Sequence, residues 1–270
     1  MSHGSLSGGH PFGRHYREVQ VAGFQCTLSR ATVPKEELPE HIHTDGQIIL
    51  ALDAGYLSRA FAADEHGRGL DLVYNPPGTV HRDCFFESGG RFLSVSAPAS
   101  VAPPLPNPVR LEAHSARGGA ARLAGLCARA AADDALEIEQ TILDLLGGAG
   151  TNSEVRHPSW LPRAHELIDS HSLEQQASIG AIAGALQLHP VYFARAFRAA
   201  VGHGPAKALK ARRISAATAL LSRDISLAEI ASSCGFADQS HLCRSMRQMF
   251  GIPPSKLGVA FREVANVQDN

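Results

Sequence analysis

A sequence pattern that occurs twice constrains this chain more than any other feature. Ile182 and Ala183 are matched by Ile230 and Ala231, 48 residues later. One extra residue then enters the second copy, and the following matches are 49 residues apart: Arg195 with Arg244, Arg198 with Arg247, Gly202 with Gly251, Pro205 with Pro254 and Lys207 with Lys256. Two copies are too few for a solenoid, so the pattern predicts one domain built from a duplicated small unit.

The second copy contains the signals of two short helices joined by a turn. Ser226 and Glu229 have the spacing of a capping box, in which each side chain binds an amide at a helix start. Gly235 suits the turn, because glycine adopts a positive φ at the least cost. The second helix is predicted after Ala237-Asp238, with three apolar residues inward: Leu242, Met246 and Met249. This is a helix-turn-helix, whose second helix lies in the major groove of DNA.

The first copy, Ser178 to Gly202, predicts the same arrangement. Its second helix is expected to begin at Pro190, since proline is favoured at the first helical position. Phe193 and Phe197 would then point inward. Between the copies, residues 206–221 predict one long helix that fixes the distance between the two groove-binding helices.

Charge is distributed unevenly along the 270 residues, whose net charge is −1. Residues 1–157 carry 13 Lys and Arg against 18 Asp and Glu, whereas residues 158–270 carry 12 against 8. The basic part coincides with the duplicated pattern. A basic face attracts a polyanion and releases counterions on binding, which favours DNA as the partner. On charge alone, a soluble basic helical bundle without such a partner remains an alternative.

The duplicated region resembles a known family. The tract IASSCGFADQSHLCRSMRQMFGIPPSKL, preceded by RISAATALL, is similar to the AraC/XylS family of bacterial transcription regulators. The resemblance extends from about Ser159 to Phe261, and four positions depart from the usual pattern: Gln187, His189, Met246 and Pro253. It implies a double-stranded DNA operator as partner and transcription regulation as function. The family leans toward activation, and an activator implies RNA polymerase as a further partner.

Matching this chain to the family residue by residue gives the candidate DNA contacts. The candidates for base contacts are Val191, Ala194, Arg195, Gln239, Ser240, His241, Cys243 and Arg244. The candidates for phosphate contacts are Arg198, Lys207, Lys210, Arg247 and Lys256. Arg195 and Arg244 can each bind guanine O6 and N7 with two hydrogen bonds, whereas Val191 can only touch a thymine methyl group. A phosphate contact or a solvated face is the alternative for each arginine.

The amino-terminal part predicts a different architecture. From residue 16 to about residue 101, short apolar runs alternate with turn residues, which is typical of a small β-barrel or sandwich. Pro76-Pro77-Gly78 followed by His81, with His41 and His43 upstream, resembles a cupin barrel. A cupin-like barrel is also the usual sensory domain of the AraC/XylS family, and this resemblance implies a small-molecule effector. The predicted fold class is therefore α+β, with a barrel followed by an all-α domain.

The three histidines also match the ligands of metal-binding cupins. Gln47 stands where those proteins have a carboxylate ligand. Three neutral imidazoles can hold a divalent metal ion, and an amide is a poorer fourth ligand. Alternatively the histidines line a ligand cavity or bind loop carbonyls. No cofactor is required, and no enzyme activity is expected, because nothing else in the barrel supplies a nucleophile or an acid/base pair. A cupin metalloenzyme or a metal sensor is the rival reading.

Four segments are expected. They are a barrel at 16–110, a helical connector at 111–147, a linker at 148–158, and a DNA-binding domain at 159–262 with helix-turn-helix units at 178–202 and 226–251. The connector either pairs two copies in a homodimer or covers the barrel's own open face. The five cysteines include no C-x-x-C pair, and the sequence has neither a signal-peptide core nor a long apolar run. We therefore expect a cytoplasmic protein without a membrane partner.

Overall fold

We describe the protein from a computed structural model. The structure describes residues 5–6, 13–31, 40–53, 55–58, 67–68, 70–81, 83–85, 90–111, 114–129, 131–150, 158–174 and 177–262. Its strands are β1 (Ser5–Leu6), β2 (Gly13–Val21), β3 (Phe24–Ala31), β4 (His41–His43), β5 (Gly46–Ala51), β6 (Gly55–Ser58), β7 (Gly67–Arg68), β8 (Leu72–Asn75), β9 (Val80–His81), β10 (Asp83–Phe85), β11 (Arg91–Ala97) and β12 (Val109–Arg110). Its helices are α1 (His114–Arg129), α2 (Ala135–Gly150), α3 (Leu161–His171), α4 (Ile179–Ala185), α5 (Pro190–Val201), α6 (Pro205–Leu220), α7 (Leu227–Ser233), α8 (Gln239–Phe250) and α9 (Pro254–Arg262).

The strands form three sheets. The largest has six strands in the order β12-β8-β5-β11-β3-β2, and two smaller sheets have the orders β1-β4-β9 and β10-β6-β7. Neighbouring strands of the large sheet are antiparallel throughout. The predicted α+β class is confirmed, whereas the strands described do not close into one barrel.

Side chains alternate between the two faces of the large sheet, because successive residues of a strand point in opposite directions. One face is apolar and belongs to the main core, with Leu28, Leu50 and Leu93 fully buried. The opposite face is equally buried but mixed, and carries several polar residues: Thr27, Ser29, Gln47, Asn75 and Ser94.

Helices α1 and α2 form an antiparallel pair that packs on the apolar face through Leu123, Ile142 and Leu146. Helix α2 continues to Gly150, so the linker does not start at residue 148 as expected. Burial of Ala149 explains this, because tertiary packing outweighs the low helix propensity of Gly147 and Gly148. The rest of the predicted linker, residues 151–157, lies outside the described residues.

The carboxyl-terminal helices have two cores. The first unit, α3 to α5, packs around Phe193 and Phe197, and the start of α6 joins it through Leu209. The second unit, α7 to α9, belongs to the main core, and the later part of α6 joins it through Ile214 and Ala217. Helix α6 therefore spans both units, as the sequence predicted for the helix between them. Within the part of the chain that the structure describes, no helix has the length and apolar character needed to cross a membrane.

Candidate nucleic-acid interface

In both helix-turn-helix units, the second helix ends at a glycine and the next helix begins at a proline. Helices α5 and α8 have 12 residues each, and they stop at Gly202 and Gly251, whose φ angles are +78° and +74°. These glycines adopt the left-handed conformation common after a helix end. Pro205 and Pro254 then begin the next helix in each unit. The duplication seen in the sequence is thus a duplication of local structure.

The second unit carries the predicted start signals. Ser226 and Glu229 form the capping box of α7, and Gly235 in the turn has a φ of +72°. Asp238 caps α8, because its carboxylate accepts a 2.6 Å hydrogen bond from the His241 amide. These contacts fix the direction in which α8 leaves the turn.

The base-contact candidates of the second unit differ in exposure. Gln239, Ser240 and Arg244 are exposed on α8. Cys243 is half-buried. His241 is half-buried too, and its ring packs edge-on against Phe236 at 5.3 Å between centroids. The imidazole therefore supports the turn, whereas Gln239, Ser240 and Arg244 are accessible on the surface of α8.

The first unit has the helix-turn-helix geometry although Gln187 and His189 depart from the usual pattern of the family that the sequence resembles. Gln187 stands in the turn with a φ of +57°, a conformation that glycine adopts more readily. His189 caps α5, since its Nδ1 accepts a 3.3 Å hydrogen bond from the Val191 amide. Val191 and Arg195 are exposed on α5, and Ala194 is half-buried.

The repeat also indicates one exposed residue that the family match did not select. Tyr192 precedes His241 by 49 residues and occupies the same position of its helix. It is 55% exposed, next to Val191, which is 69% exposed. A phenol can donate and accept hydrogen bonds, so Tyr192 adds a second exposed polar side chain to α5 besides Arg195.

The phosphate-contact candidates lie at the surface. Arg198, Lys207, Arg247 and Lys256 are exposed, whereas Lys210 is half-buried and donates a 2.8 Å hydrogen bond to Gln248 of α8. Arg213 is structural, because its guanidinium donates hydrogen bonds to the carbonyls of Ser172 and Glu174 at 2.7 and 2.6 Å. Lys210 thus binds α6 to α8, and Arg213 binds α6 to the segment that follows α3.

A buried arginine joins the large sheet to α6. Arg91, the first residue of β11, forms an ion pair with Asp53 and donates hydrogen bonds to the Thr218 carbonyl at 3.2 Å and to the Ser222 hydroxyl. Its guanidinium also lies 4.7 Å from the ring centre of Phe261. Close by, the Ser215 hydroxyl donates to the Leu52 carbonyl at 3.1 Å. The last turn of α6 is thus bound by the amino-terminal unit.

The second contact between the two parts involves α1 and α8. A Cβ atom added to Gly125 would lie 1.7 Å from the Phe250 carbonyl oxygen, so only glycine allows this approach. Helix α1 therefore packs directly on the end of α8, the second helix of the second unit. The first unit, in contrast, has a core of its own.

The three histidines predicted as a metal site are brought together. His41 and His43 lie on the same side of β4, and β9 pairs with β4 so that His81 is opposite His41. All three are buried, and their ligand atoms lie within 4.8 Å of one another. Gln47 is buried and donates a 3.0 Å hydrogen bond to Ser96, so its amide is engaged within the large sheet.

Comparison with known proteins identifies the carboxyl-terminal region. The family model described as a helix-turn-helix domain matches residues 182–258. Regulatory protein PocR of Salmonella typhimurium is 31% identical over 117 residues, which are 43% of this chain and 37% of PocR. Residues 182–258 thus form a helix-turn-helix domain, and this domain is of the AraC type, as the sequence resemblance implied. The chain spans only about a third of the length of this relative.

Two solved structures are similar over different parts of the chain. The carboxyl-terminal domain of AraT, a response regulator from Geobacillus stearothermophilus, is 23% identical with a TM-score of 0.37, and the match covers 41% of this chain and 88% of that one. ToxT from Vibrio cholerae is 11% identical with a TM-score of 0.38, and the match covers 88% of this chain and 98% of that one. TM-scores of this size do not establish a shared overall fold.

Proposed function

We propose that this protein is a sequence-specific DNA-binding transcription regulator that responds to a small molecule bound in its amino-terminal unit. The observation that carries the proposal is the pair of matching helix-turn-helix units joined by α6. Each unit presents an exposed arginine at the same position of its second helix, Arg195 and Arg244. One monomer would then place two helices in successive major grooves, about 34 Å apart along one face of the DNA.

We expect each of the two units to contact base edges in a different major groove. Arg244, Gln239 and Ser240 can hydrogen-bond base edges in one groove, and Arg195 with Tyr192 can do so in the other. The five basic residues Arg198, Lys207, Lys210, Arg247 and Lys256 supply contacts to phosphates. These contacts position the protein on the duplex and carry no sequence information.

The buried mixed face of the large sheet supports an effector site. Asn75 is 1% exposed, and neither its amide oxygen nor its amide nitrogen has a hydrogen-bond partner among the described residues. A buried amide without partners is costly, and a polar ligand would relieve that cost. Gln47 lies directly opposite Asn75 in the strand pairing. We take the surroundings of Asn75 and Gln47 on this face of the large sheet as the effector pocket.

Effector binding would reach the DNA-binding domain through the two junctions already described. Arg91 holds the last turn of α6, and Gly125 lets α1 pack on α8. A shift of either contact changes the placement of the second unit relative to the first. The connector helices α1 and α2 have their apolar side in the main core, which favours a covering role over a pairing role.

The test is binding of the full chain to genomic DNA fragments in competition with random DNA at two salt concentrations. The proposal expects retention of particular fragments, and the double variant Arg195→Ala/Arg244→Ala should bind them no better than random DNA. Equal binding of all fragments by the unaltered chain would refute sequence-specific recognition. A response to metabolites that the Asn75→Leu variant lacks would support the effector pocket, and an unchanged response would exclude it.

A further inference from the structure

We propose that Arg213 and Gly235 fix the orientation of α8 relative to α5, and with it the spacing between the two DNA boxes that one chain binds. The spacing rests on the proposed function, whereas the orientation is a property of the chain without DNA. The two helix-turn-helix units lie in different cores, with Phe193 of α5 in one and Leu242 of α8 in the other. Separate cores do not by themselves fix how the units are turned against each other, so a contact between them is needed.

Arg213 lies on α6 at the point where this helix passes from one core to the other. Leu209 belongs to the first core, and Ile214, directly after Arg213, belongs to the second. The Arg213 guanidinium donates a 2.7 Å hydrogen bond to the Ser172 carbonyl and a 2.6 Å hydrogen bond to the Glu174 carbonyl. Both carbonyls belong to the segment that follows α3 in the first unit. One side chain thus holds this segment to the middle of α6.

The turn of the second unit lies against the same place. A Cβ atom added to Gly235 would lie 3.0 Å from Nε of Arg213 and 3.0 Å from the Leu173 carbonyl oxygen. These distances are shorter than ordinary van der Waals contacts, so a glycine allows the turn to approach both groups. The segment after α3, the guanidinium and the turn between α7 and α8 therefore meet at one point, where the first unit contacts the second.

The chemistry of this contact favours arginine over lysine. A guanidinium is planar and presents its donors in fixed directions, so it can bind two carbonyls and keep their relative position. An ammonium group is a point charge on a flexible stem and does not fix that geometry. Burial lowers the pKa of Arg213, and the two carbonyl oxygens replace water that the cation has lost. We therefore expect Arg213→Lys to keep the positive charge but to lose the fixed orientation.

A fixed orientation has a consequence for the DNA that one chain can bind. The turn that contains Gly235 leads directly into α8, so the direction of this helix follows the position of the turn. One base pair added between the boxes moves the second box by about 3.4 Å and rotates it by about 35° around the duplex axis. Two helices in a fixed orientation tolerate that displacement poorly, whereas two units joined by α6 alone can adapt to it.

The first experiment measures the orientation without DNA. Pulsed electron–electron double resonance of the full chain, with spin-labelled residues introduced at the exposed positions 191 of α5 and 240 of α8, gives the distribution of the distance between them. We expect one narrow distribution, and one at least about twofold broader in Arg213→Lys and Arg213→Met, because neither side chain has the planar fork. Arg212→Met is the matched control and should keep the narrow distribution, because Arg212 forms its 2.6 Å ion pair with Asp169 inside the first unit.

Two outcomes of this experiment would overturn the proposal. One is a broad distribution in the chain that keeps Arg213, a result that does not depend on whether the variants fold. The other is an equal width in that chain and in the Arg213 variants whose folding is verified by circular dichroism. Gly235→Ala tests the same contact from the other side and should also broaden the distribution, because its methyl group meets the guanidinium.

The second experiment measures binding of the same proteins to the preferred DNA site with one base pair added or removed between the boxes. We expect the unaltered chain and Arg212→Met to prefer one spacing at least about tenfold, and Arg213→Lys to prefer it less than about threefold. A merely stabilising residue or a phosphate contact would weaken all spacings by the same factor, and that result would overturn the proposal. Absence of any preferred site for the unaltered chain would refute the proposed function, and the distance distributions would still decide the role of Arg213.

Discussion

The guanidinium of Arg91 donates a 3.2 Å hydrogen bond to the main-chain carbonyl of Thr218, across 127 residues of sequence. This bond joins the large sheet to the last turn of α6, the helix between the two helix-turn-helix units. A cation at a helix carboxyl terminus is favourable, because the unpaired carbonyls there carry partial negative charge. Burial raises the pKa of the Asp53 carboxyl, and the charge of Arg91 opposes that rise.

Replacing Arg91 tests the importance of this junction for stability. Arg91→Met should lower the free energy of unfolding by about 3–5 kcal/mol, because Asp53 is left buried without its partner. The double variant Arg91→Met/Asp53→Asn should lose less than the two single variants together. Urea denaturation followed by circular dichroism measures both effects. Strictly additive losses would show that the two side chains do not act as a pair.

Two glycines of α1 should respond oppositely to the same substitution. Gly125→Ala should destabilise the protein by about 1–3 kcal/mol or more, because the new methyl group meets the Phe250 carbonyl. Gly118→Ala, with nothing within 4 Å of the added Cβ, should stabilise it by about 1 kcal/mol through helix propensity. Thermal unfolding compares the two. Equal shifts of the unfolding temperature would contradict the close packing of α1 on α8.

His165 should make the first unit sensitive to acid. Burial, with a smaller effect of Arg212, lowers the pKa of His165 from 6.5 to about 4. The unfolded chain therefore binds a proton that the folded chain does not bind between these pH values. Stability is full above pH 6.5 and falls as the pH drops toward 4, by up to about 3 kcal/mol.

The variant His165→Leu should lose most of this pH dependence. Trp160, the only tryptophan of the chain, contacts Phe193 in the same core at 5.7 Å, so its fluorescence reports on this unit. Denaturation at pH 7.5 and pH 5 should differ in the unaltered chain and much less in the variant. The same loss of stability in both proteins would assign the effect to another group.

Arg244 and Lys256 should affect DNA binding differently. Arg244→Ala should cost about 1–3 kcal/mol on the preferred site and relax the preference at one base pair. Lys256→Ala should weaken binding to all sequences alike and lower the salt dependence. Titrations against the preferred site and its single-base variants measure both. A uniform loss for Arg244→Ala would make this arginine a phosphate contact.

Local signals explain how much of the fold could be predicted from the sequence. The capping box of Ser226 and Glu229 and the positive φ of Gly235 depend on neighbouring residues only, and both are present. The end of α2 depends on burial of Ala149 against other helices, and there the prediction stopped too early. Tertiary packing, which the local pattern does not contain, decided that boundary.

In the candidate site, too, the features that belong to a sequence motif could be predicted, and contacts between residues far apart in the sequence could not. The spacing of the repeat placed Arg195 and Arg244 on equivalent helix positions, and the histidine motif brought His41, His43 and His81 together. The junction of Arg91 with Thr218 was not predictable, because it joins residues far apart in the sequence that share no motif. Nor could the sequence show that α1 approaches α8 at Gly125, an ordinary glycine inside a helix.

We propose that α6 holds two groove-binding helices at a separation that matches one turn of DNA. The most direct test is footprinting of the full chain on its preferred site, before and after insertion of about five base pairs between the two protected boxes. We expect two protected boxes about 10 base pairs apart on one face. After the insertion, we expect loss of one box and at least about tenfold weaker binding. Unchanged protection and affinity after the insertion would contradict it.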